Sequence, residues 1–331
     1  MPGRIPSRIL ALLKESLAVS LVLFRIMIPV VIAVKILEET GAVDLAGRLL
    51  SPLMAVAGLP GSMGLVWATA MITNLYGGIV TFVSVAPPLH MTVAQVTVVC
   101  TMMLVAHSLP VELGVARKAG ARMRIMLPLR VGGAIVIGAA LSSVFDALGM
   151  LGGEARILWQ PAAAPGAGLG AWALGQVKNL LSIFLIVTAL IALLKILRRT
   201  GFTALLDRGL RPVLVSMGIG PSASTITIFG MILGLSYGGG LIISGARSGS
   251  IPPRDVFFSL CLMGLAHSLV EDSLLMLSLG ASAWGVFAAR TVFAWAVLAV
   301  LVRVAGRIPD RVFLHWFCTR PSAPAGAEPG S

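Results

Sequence analysis

The feature that most limits what this chain can fold into is that its second half repeats its first. Lys35-Ile36-Leu37-x-x-Thr40-Gly41 returns as Lys195-Ile196-Leu197-x-x-Thr200-Gly201, a shift of 195 − 35 = 160 residues. At the same shift Ala106-His107-Ser108-Leu109 returns as Ala266-His267-Ser268-Leu269, and Pro52, Gly58 and Arg130 return as Pro212, Gly218 and Arg290. Tyr76-Gly77-Gly78 reappears one residue out of step as Tyr237-Gly238-Gly239. Duplicated apolar halves with polar residues at matching depths are a common transporter plan.

Both copies sit in a chain that is 57% hydrophobic and only 11% charged, with a mean hydropathy of +0.98. Soluble domains carry about 25% charge, so this chain lacks the residues to cover a water-facing surface. The first half offers spans at 17–37, 92–116 and 125–147, and the second at 178–197, 254–279 and 283–304, most near the roughly 20 residues needed to cross a bilayer. The sequence therefore describes an all-α integral membrane protein. The net charge of +12 does not point to nucleic acid, because Lys and Arg cluster in short loops beside apolar segments. Three cysteines imply no disulfide framework, and Cys100 and Cys261 read as small apolar filler. The first apolar segment lacks a small-residue cleavage site and reads as an uncleaved helix.

Loop charge orients the copies. Basic residues precede 17–37; the loop beyond it carries Glu38, Glu39 and Asp44; Arg117, Lys118, Arg122 and Arg124 lie between the next two spans. In the second copy the signs reverse. Arg198, Arg199, Arg208 and Arg211 follow the first span, the loop at 279–285 is uncharged, and Arg303, Arg307 and Arg311 follow the last span. This predicts two inverted-topology repeats with both termini cytoplasmic, in a bacterial inner (cytoplasmic) membrane. The expected organisation is an N-terminal tail over 1–16, repeat 1 over 17–147 and an external connector over 148–177. Repeat 2 follows over 178–305, then a cytoplasmic tail over 306–331 whose Pro-, Ala- and Gly-rich end is disordered.

Within each repeat two further elements are expected. Residues 43–57 place Asp44, Arg48 and Ser51 on one side and Leu45, Leu49, Leu53 and Val56 on the other, as an interfacial helix would. Thr203, Asp207 and Arg211 draw the same stripe in the second copy. The apolar stretches 61–86 and 221–250 are interrupted by glycine turns, Thr73-Asn74-Leu75-Tyr76-Gly77-Gly78 and Ser236-Tyr237-Gly238-Gly239-Gly240, and adjacent glycines are poor helix interior. They read as re-entrant hairpins, in preference to ten crossing helices, because irregular backbone at that depth must be satisfied by protein or a watery cavity.

Function should reside in the ionisable groups buried in these spans, which cost several kcal/mol unless paired or hydrated. They are His107, Glu112, His267, Glu271 and Asp272, with Ser108 and Ser268 beside the histidines and the hairpin residues Asn74, Tyr76, Gly77, Gly78, Tyr237, Gly238 and Gly239 facing them. Pro110 is expected to unwind the helix between His107 and Glu112; Val270 stands there in the second copy. His267 and Glu271 share a face if their helix is intact. Such groups suit a divalent metal (His107, His267 and Glu271 as ligands), a hydroxyl-rich or protonated organic solute, or a coupling proton or sodium ion. Arg130 and Arg290 are positioned to neutralise Glu112 and Asp272 as structural ion pairs.

The order of span, interfacial helix, Gly-broken hairpin, broken span and span, given twice, resembles the core of concentrative nucleoside transporters. The sequence itself resembles the nucleoside recognition, or gate, domain family, including spore maturation proteins A and B and the membrane gate of ferrous iron transporter B. The residues that carry the likeness are Pro52…Gly58, Asn74-Leu75-Tyr76-Gly77-Gly78 and Ala106-His107-Ser108-Leu109-Pro110-Val111-Glu112 with their second-copy partners. The resemblance implies a secondary-transporter-like permease for a small solute, or alternatively a non-transporting membrane scaffold; the duplicated histidines with nearby carboxylates place divalent metal ahead of nucleoside. A homo-oligomer or a partner membrane subunit is compatible with either. No Walker-type phosphate loop is present, and neither His-Glu-x-x-His nor Gly-x-Ser-x-Gly marks a hydrolase.

Overall fold

The computed structural model describes residues 4–158 and 168–319, and among these all regular structure is helical. The first copy runs α1 (Arg4–Glu39), α2 (Ala42–Ala55), α3 (Met63–Ile72), α4 (Leu75–Val85), α5 (Val93–Val105), α6 (Leu109–Lys118) and α7 (Met123–Leu148). The second runs α8 (Leu169–Arg199), α9 (Phe202–Ser216), α10 (Pro221–Leu233), α11 (Leu235–Ser248), α12 (Pro253–Leu265) and α13 (Glu271–Ser278). A π-turn over Trp284–Ala289 then leads into α14 (Arg290–Ala305), and α15 (Asp310–Phe317) ends the described chain.

Among the described residues five stretches are long and apolar enough to cross a membrane: Leu10–Leu37, Val93–Lys118, Met123–Leu148, Leu169–Leu193 and Trp284–Ala305. The sixth expected span, 254–279, is divided between α12 and α13 by a break at 266–270. In the interior lie α5 and α12, whose residues 96–105 and 256–265 are buried without exception. By contrast, α1 and α8 leave Leu17, Leu21, Val22, Leu181 and Leu185 bare, as lipid-facing helices do. On α2 the polar row and the row of Leu45, Leu49, Leu53 and Val56 are both exposed, as an element lying between headgroups and acyl chains requires. Its counterpart stripe falls partly on Thr203 and Asp207, whose side chains lie outside the described residues.

The paired glycines of the hairpins do not form their turns. The first hairpin breaks at Thr73 and Asn74, where Asn74 Oδ1 accepts from Gly77 N at 2.9 Å and caps α4. Gly77 and Gly78 lie inside α4. A Cβ on Gly78 would come within 2.6 Å of Ala70 Cβ, so the missing side chain lets α3 and α4 cross closely. Close crossing, not a turn, is what these glycines supply.

Contacts at the helix ends define two ends of the molecule. At one, Arg254 donates to Ala305 O (2.8 Å), Ile308 O (2.5 Å) and Asp310 Oδ1 (2.6 Å). There α15 packs Phe313 and Phe317 onto Phe257, while Arg122 Nε donates to Cys318 O at 2.9 Å. The start of the chain's last segment, expected as a tail, is thus a docked helix; its end, 320–331, lies outside the described residues. At the opposite end, residues 149–158 strap the molecule. Val93 N donates to Gly153 O at 2.9 Å and Leu158 N to Ser278 O at 3.0 Å, and Ser282 N donates to Thr97 Oγ1 at 2.8 Å. Of the rest of the predicted connector, 159–167 lies outside the described residues, and from Leu169 onward the chain is already α8 rather than connector.

Candidate functional site

The site is built on two helix breaks. After α5 the chain leaves the helix at Ala106 (φ −137°, ψ 86°) and after α12 at Ala266 (φ −146°, ψ 67°). Ser108 and Ser268 then take left-handed backbone, φ 48° and 46°, which for a non-glycine residue costs of order 1–3 kcal/mol. The cost is met by hydrogen bonds to neighbouring helices: Ser108 N donates to Ala70 O at 2.9 Å and Leu269 N to Met231 O at 2.8 Å. Pro110 is not the cause of the break. It lies in the first turn of α6, where its missing N–H is no loss, and the copy with Val270 breaks equally. Because α13 begins at Glu271, His267 lies before it, and the shared face expected for His267 and Glu271 does not form.

A broken helix leaves buried carbonyls without donors. Two arginines supply them. Arg130 Nε donates to Val105 O at 3.0 Å, and Arg290 Nε donates to Leu265 O at 3.0 Å. The guanidinium groups are completely enclosed, with Arg130 1% and Arg290 0% exposed.

The two histidines meet across the copies. Nδ1 of His107 lies 2.9 Å from Met103 O, and Nδ1 of His267 lies 2.8 Å from Met263 O. A carbonyl accepts only, so each Nδ1 carries a proton, and in the neutral ring the lone pair then lies on Nε2. Those two Nε2 atoms are 3.3 Å apart. Glu112 Oε1 lies 3.4 Å from Nε2 of His107 and 3.3 Å from Nε2 of His267, while Glu112 Oε2 is ion-paired with Arg130 Nη1. Asp272 Oδ2 stands further off, 3.9 Å from Nε2 of His107. Three acceptors therefore converge at hydrogen-bonding distance. Such a cluster is stable only with a proton or a cation among them.

Beside this triangle opens a cavity of about 360 Å³. Of the residues singled out from sequence, Asn74, Tyr76, His107, Ser108, Glu112, His267, Ser268, Glu271 and Asp272 line it. Gly77, Gly78, Gly238 and Gly239 do not; Gly77 and Gly78 are enclosed between α3 and α4. The side chain of Tyr237 lies outside the described residues. Among the described residues the group whose spacing suits a metal is His107, His267 and Glu112, so Glu112 takes the place expected of Glu271. Arg130 pairs with Glu112 as anticipated, but Arg290 directs its Nη2 to Leu104 O (3.1 Å) and His267 O (3.0 Å), and no Asp272–Arg290 ion pair forms among the described residues. Thr73, the first residue of the predicted interruption, also lines the cavity, as does Gly234, which the sequence reading passed over. Gly234 was detectable as the counterpart of Asn74 (74 + 160 = 234).

Comparison with known proteins agrees with the resemblance drawn from these motifs. Residues 20–122, most of α1 through α6, match the family described as Gate: Nucleoside recognition. The uncharacterized membrane protein YvoD of Bacillus subtilis (strain 168) is 27% identical over 263 residues, covering 78% of this chain and 83% of that protein. An aligned stretch of that length exceeds either copy alone. No solved structure matches. The chain is a membrane protein whose residues 20–122 match the gate-domain family.

Proposed function

We propose that this gate-domain membrane protein is a secondary-transporter-like permease that carries a divalent metal ion through a site between two oppositely oriented copies. The observation that carries the proposal is the size of the acceptor triangle. Its edges are 3.3, 3.3 and 3.4 Å. Ligands held about 2.0–2.2 Å from a tetrahedral ion lie about 3.3–3.6 Å from one another. Two imidazoles and one carboxylate form a donor set suited to zinc and other late first-row ions, and the cavity leaves room for a fourth ligand to approach. Glu112 is already neutralised by Arg130, so an arriving cation is not held by a full unbalanced charge, as release from a carrier requires.

Opposite orientation of the copies is supported at three pairs of counterpart helices. Lys195, late in α8, pairs with Glu15, early in α1. The start of α12 meets α15, whose C-terminal end meets Arg122 of the α6–α7 loop, whereas the start of α5 meets the strap at the other end. The start of α7 lies with the end of α14. The end bearing Arg117, Lys118, Arg122, Arg124, Arg254, Arg303 and Arg307 is assigned to the cytoplasm by the excess of positive charge, and α3–α4 and α10–α11 act as the hairpins of the two repeats.

The test is thermal unfolding of detergent-purified protein with Fe²⁺, Mn²⁺, Zn²⁺, Ni²⁺ and a panel of nucleosides, followed by ion uptake into proteoliposomes. A ligand specific to the folded state adds about 2.7 kcal/mol at a hundred times its Kd. We expect a saturable metal shift that His107→Ala/His267→Ala abolishes, together with metal flux. The hydroxyl- and amide-lined cavity also has the volume for an organic solute, so a nucleoside shift without a metal shift would transfer the proposal to nucleosides. No shift and no flux, with the variant merely less stable, would make the protein a scaffold.

A further inference from the structure

We infer that Arg130 and Arg290 decide which end of the molecule the site opens to, by holding the two repeat-related carboxylates in alternation: Glu112 on Arg130 in one state, Asp272 on Arg290 in the other. The inference rests on the permease proposal and on the opposite orientation of the copies.

Its basis is a departure from symmetry. The two arginines are counterparts (290 − 130 = 160), as are the carbonyls their Nε atoms cap (265 − 105 = 160), and both bonds measure 3.0 Å. Beyond Nε they diverge. Arg130 pairs with its carboxylate through Nη1 and leaves Nη2, fully buried, without an acceptor; Arg290 bonds two carbonyls through Nη2 and leaves Nη1, also fully buried, without one. Each arginine thus makes the contacts its counterpart lacks. The acceptors that would complete Arg130 are the counterparts of Leu104 and His267, namely Gly264 (104 + 160) and His107 (267 − 160). The Arg130 stem already lies over Gly264, where a Cβ would sit 3.5 Å from Arg130 Cδ. A buried guanidinium with an idle donor is costly, and exchanging the two arrangements moves that cost from one copy to the other without changing its kind.

The cavity shares the asymmetry. It extends along α6, where Val115 lines it and Val111 is 65% exposed. At the position matching Val115, Leu275 in α13 is 1% exposed (115 + 160 = 275), with the end of α13 held by the strap through Leu158 N and Ser278 O. Pairing of Glu112 with Arg130 accordingly accompanies a site open toward the basic end and closed toward the other.

The experiment compares Val115→Cys with Leu275→Cys in full-length protein in lipid nanodiscs, with Cys100, Cys261 and Cys318 replaced by alanine, by rate of labelling with a water-soluble maleimide. With the acids intact, position 115 should react at least about tenfold faster than 275, as expected when the second state is a minor one. Glu112→Gln removes the partner of Arg130 and should raise labelling at 275 while lowering it at 115. Asp272→Asn removes the partner of the other state and should leave 275 protected. A ratio unmoved by Glu112→Gln, or equal acceleration at both positions in both variants, would overturn the exchange. Uptake of Zn²⁺ by vesicles bearing the wild-type chain separates the two claims: flux with an unmoved ratio removes the exchange alone, whereas a reversed ratio without binding or flux removes the permease alone.

Discussion

The two copies keep the same scaffold around the site and part company at its charges. In both, a helix stops at an alanine, a histidine follows, a serine turns through left-handed backbone, and an arginine 25 residues beyond the last helical carbonyl returns to cap it. Glu112 bridges its arginine and both imidazoles, while Asp272, one methylene shorter, remains 3.9 Å from the nearer imidazole and unpaired with Arg290. A second difference lies at the hairpin break, capped by Asn74 in one copy and replaced by Gly234 at φ 92° in the other. A duplicated frame can therefore hold two unequal arrangements of charge around one site.

The largest expected effect comes from setting Arg130→Leu beside Arg290→Leu. Removing Arg130 leaves the buried Glu112 charge without its partner and should cost about 3–5 kcal/mol. Removing Arg290 leaves carbonyls without donors and should cost about 1–3 kcal/mol. Both are read from denaturant or thermal unfolding in detergent. Equal losses would mean that the copies share charge more evenly than their contacts indicate.

A smaller effect distinguishes the hairpins. Gly234→Ala places a Cβ 2.7 Å from Ser268 Oγ at a positive φ, a strain of about 1–3 kcal/mol; Asn74→Ala removes a helix cap, about 1 kcal/mol. A neutral Gly234→Ala in the same unfolding measurement would show that the second break relaxes freely. The smallest is Pro110→Ala, which should stay within about 0.5 kcal/mol, since the proline lies in a first turn and its counterpart Val270 accompanies the same break. A loss well above that would restore the proline as the cause.

Much of this was legible along the chain, because the signals concerned are local. Hydropathy marked the spans, and identical residues at a fixed shift marked the copies. Two histidines and three carboxylates in apolar segments marked the site's constituents. Other features were not legible for reasons that can be stated. Nothing about Ser108 or Ser268 announces left-handed backbone, since serine has no preference for it and the hydrogen bonds that hold these turns come from α3 and α10. The glycine pair read as a turn is helical, since its purpose is to admit a neighbouring helix that no local pattern reveals.

By itself, then, the sequence determined the class of protein, the duplication, and which rare polar groups would have to be accommodated in the apolar interior. It did so because the cost of placing charge and bare backbone in lipid is imposed residue by residue. Only the tertiary structure decided that His107 and His267 face one another across 160 positions, that Glu112 and not Glu271 completes their triangle, and that one arginine holds a carboxylate while its counterpart holds carbonyls. Those outcomes depend on ångström differences in how two halves built on one plan pack together.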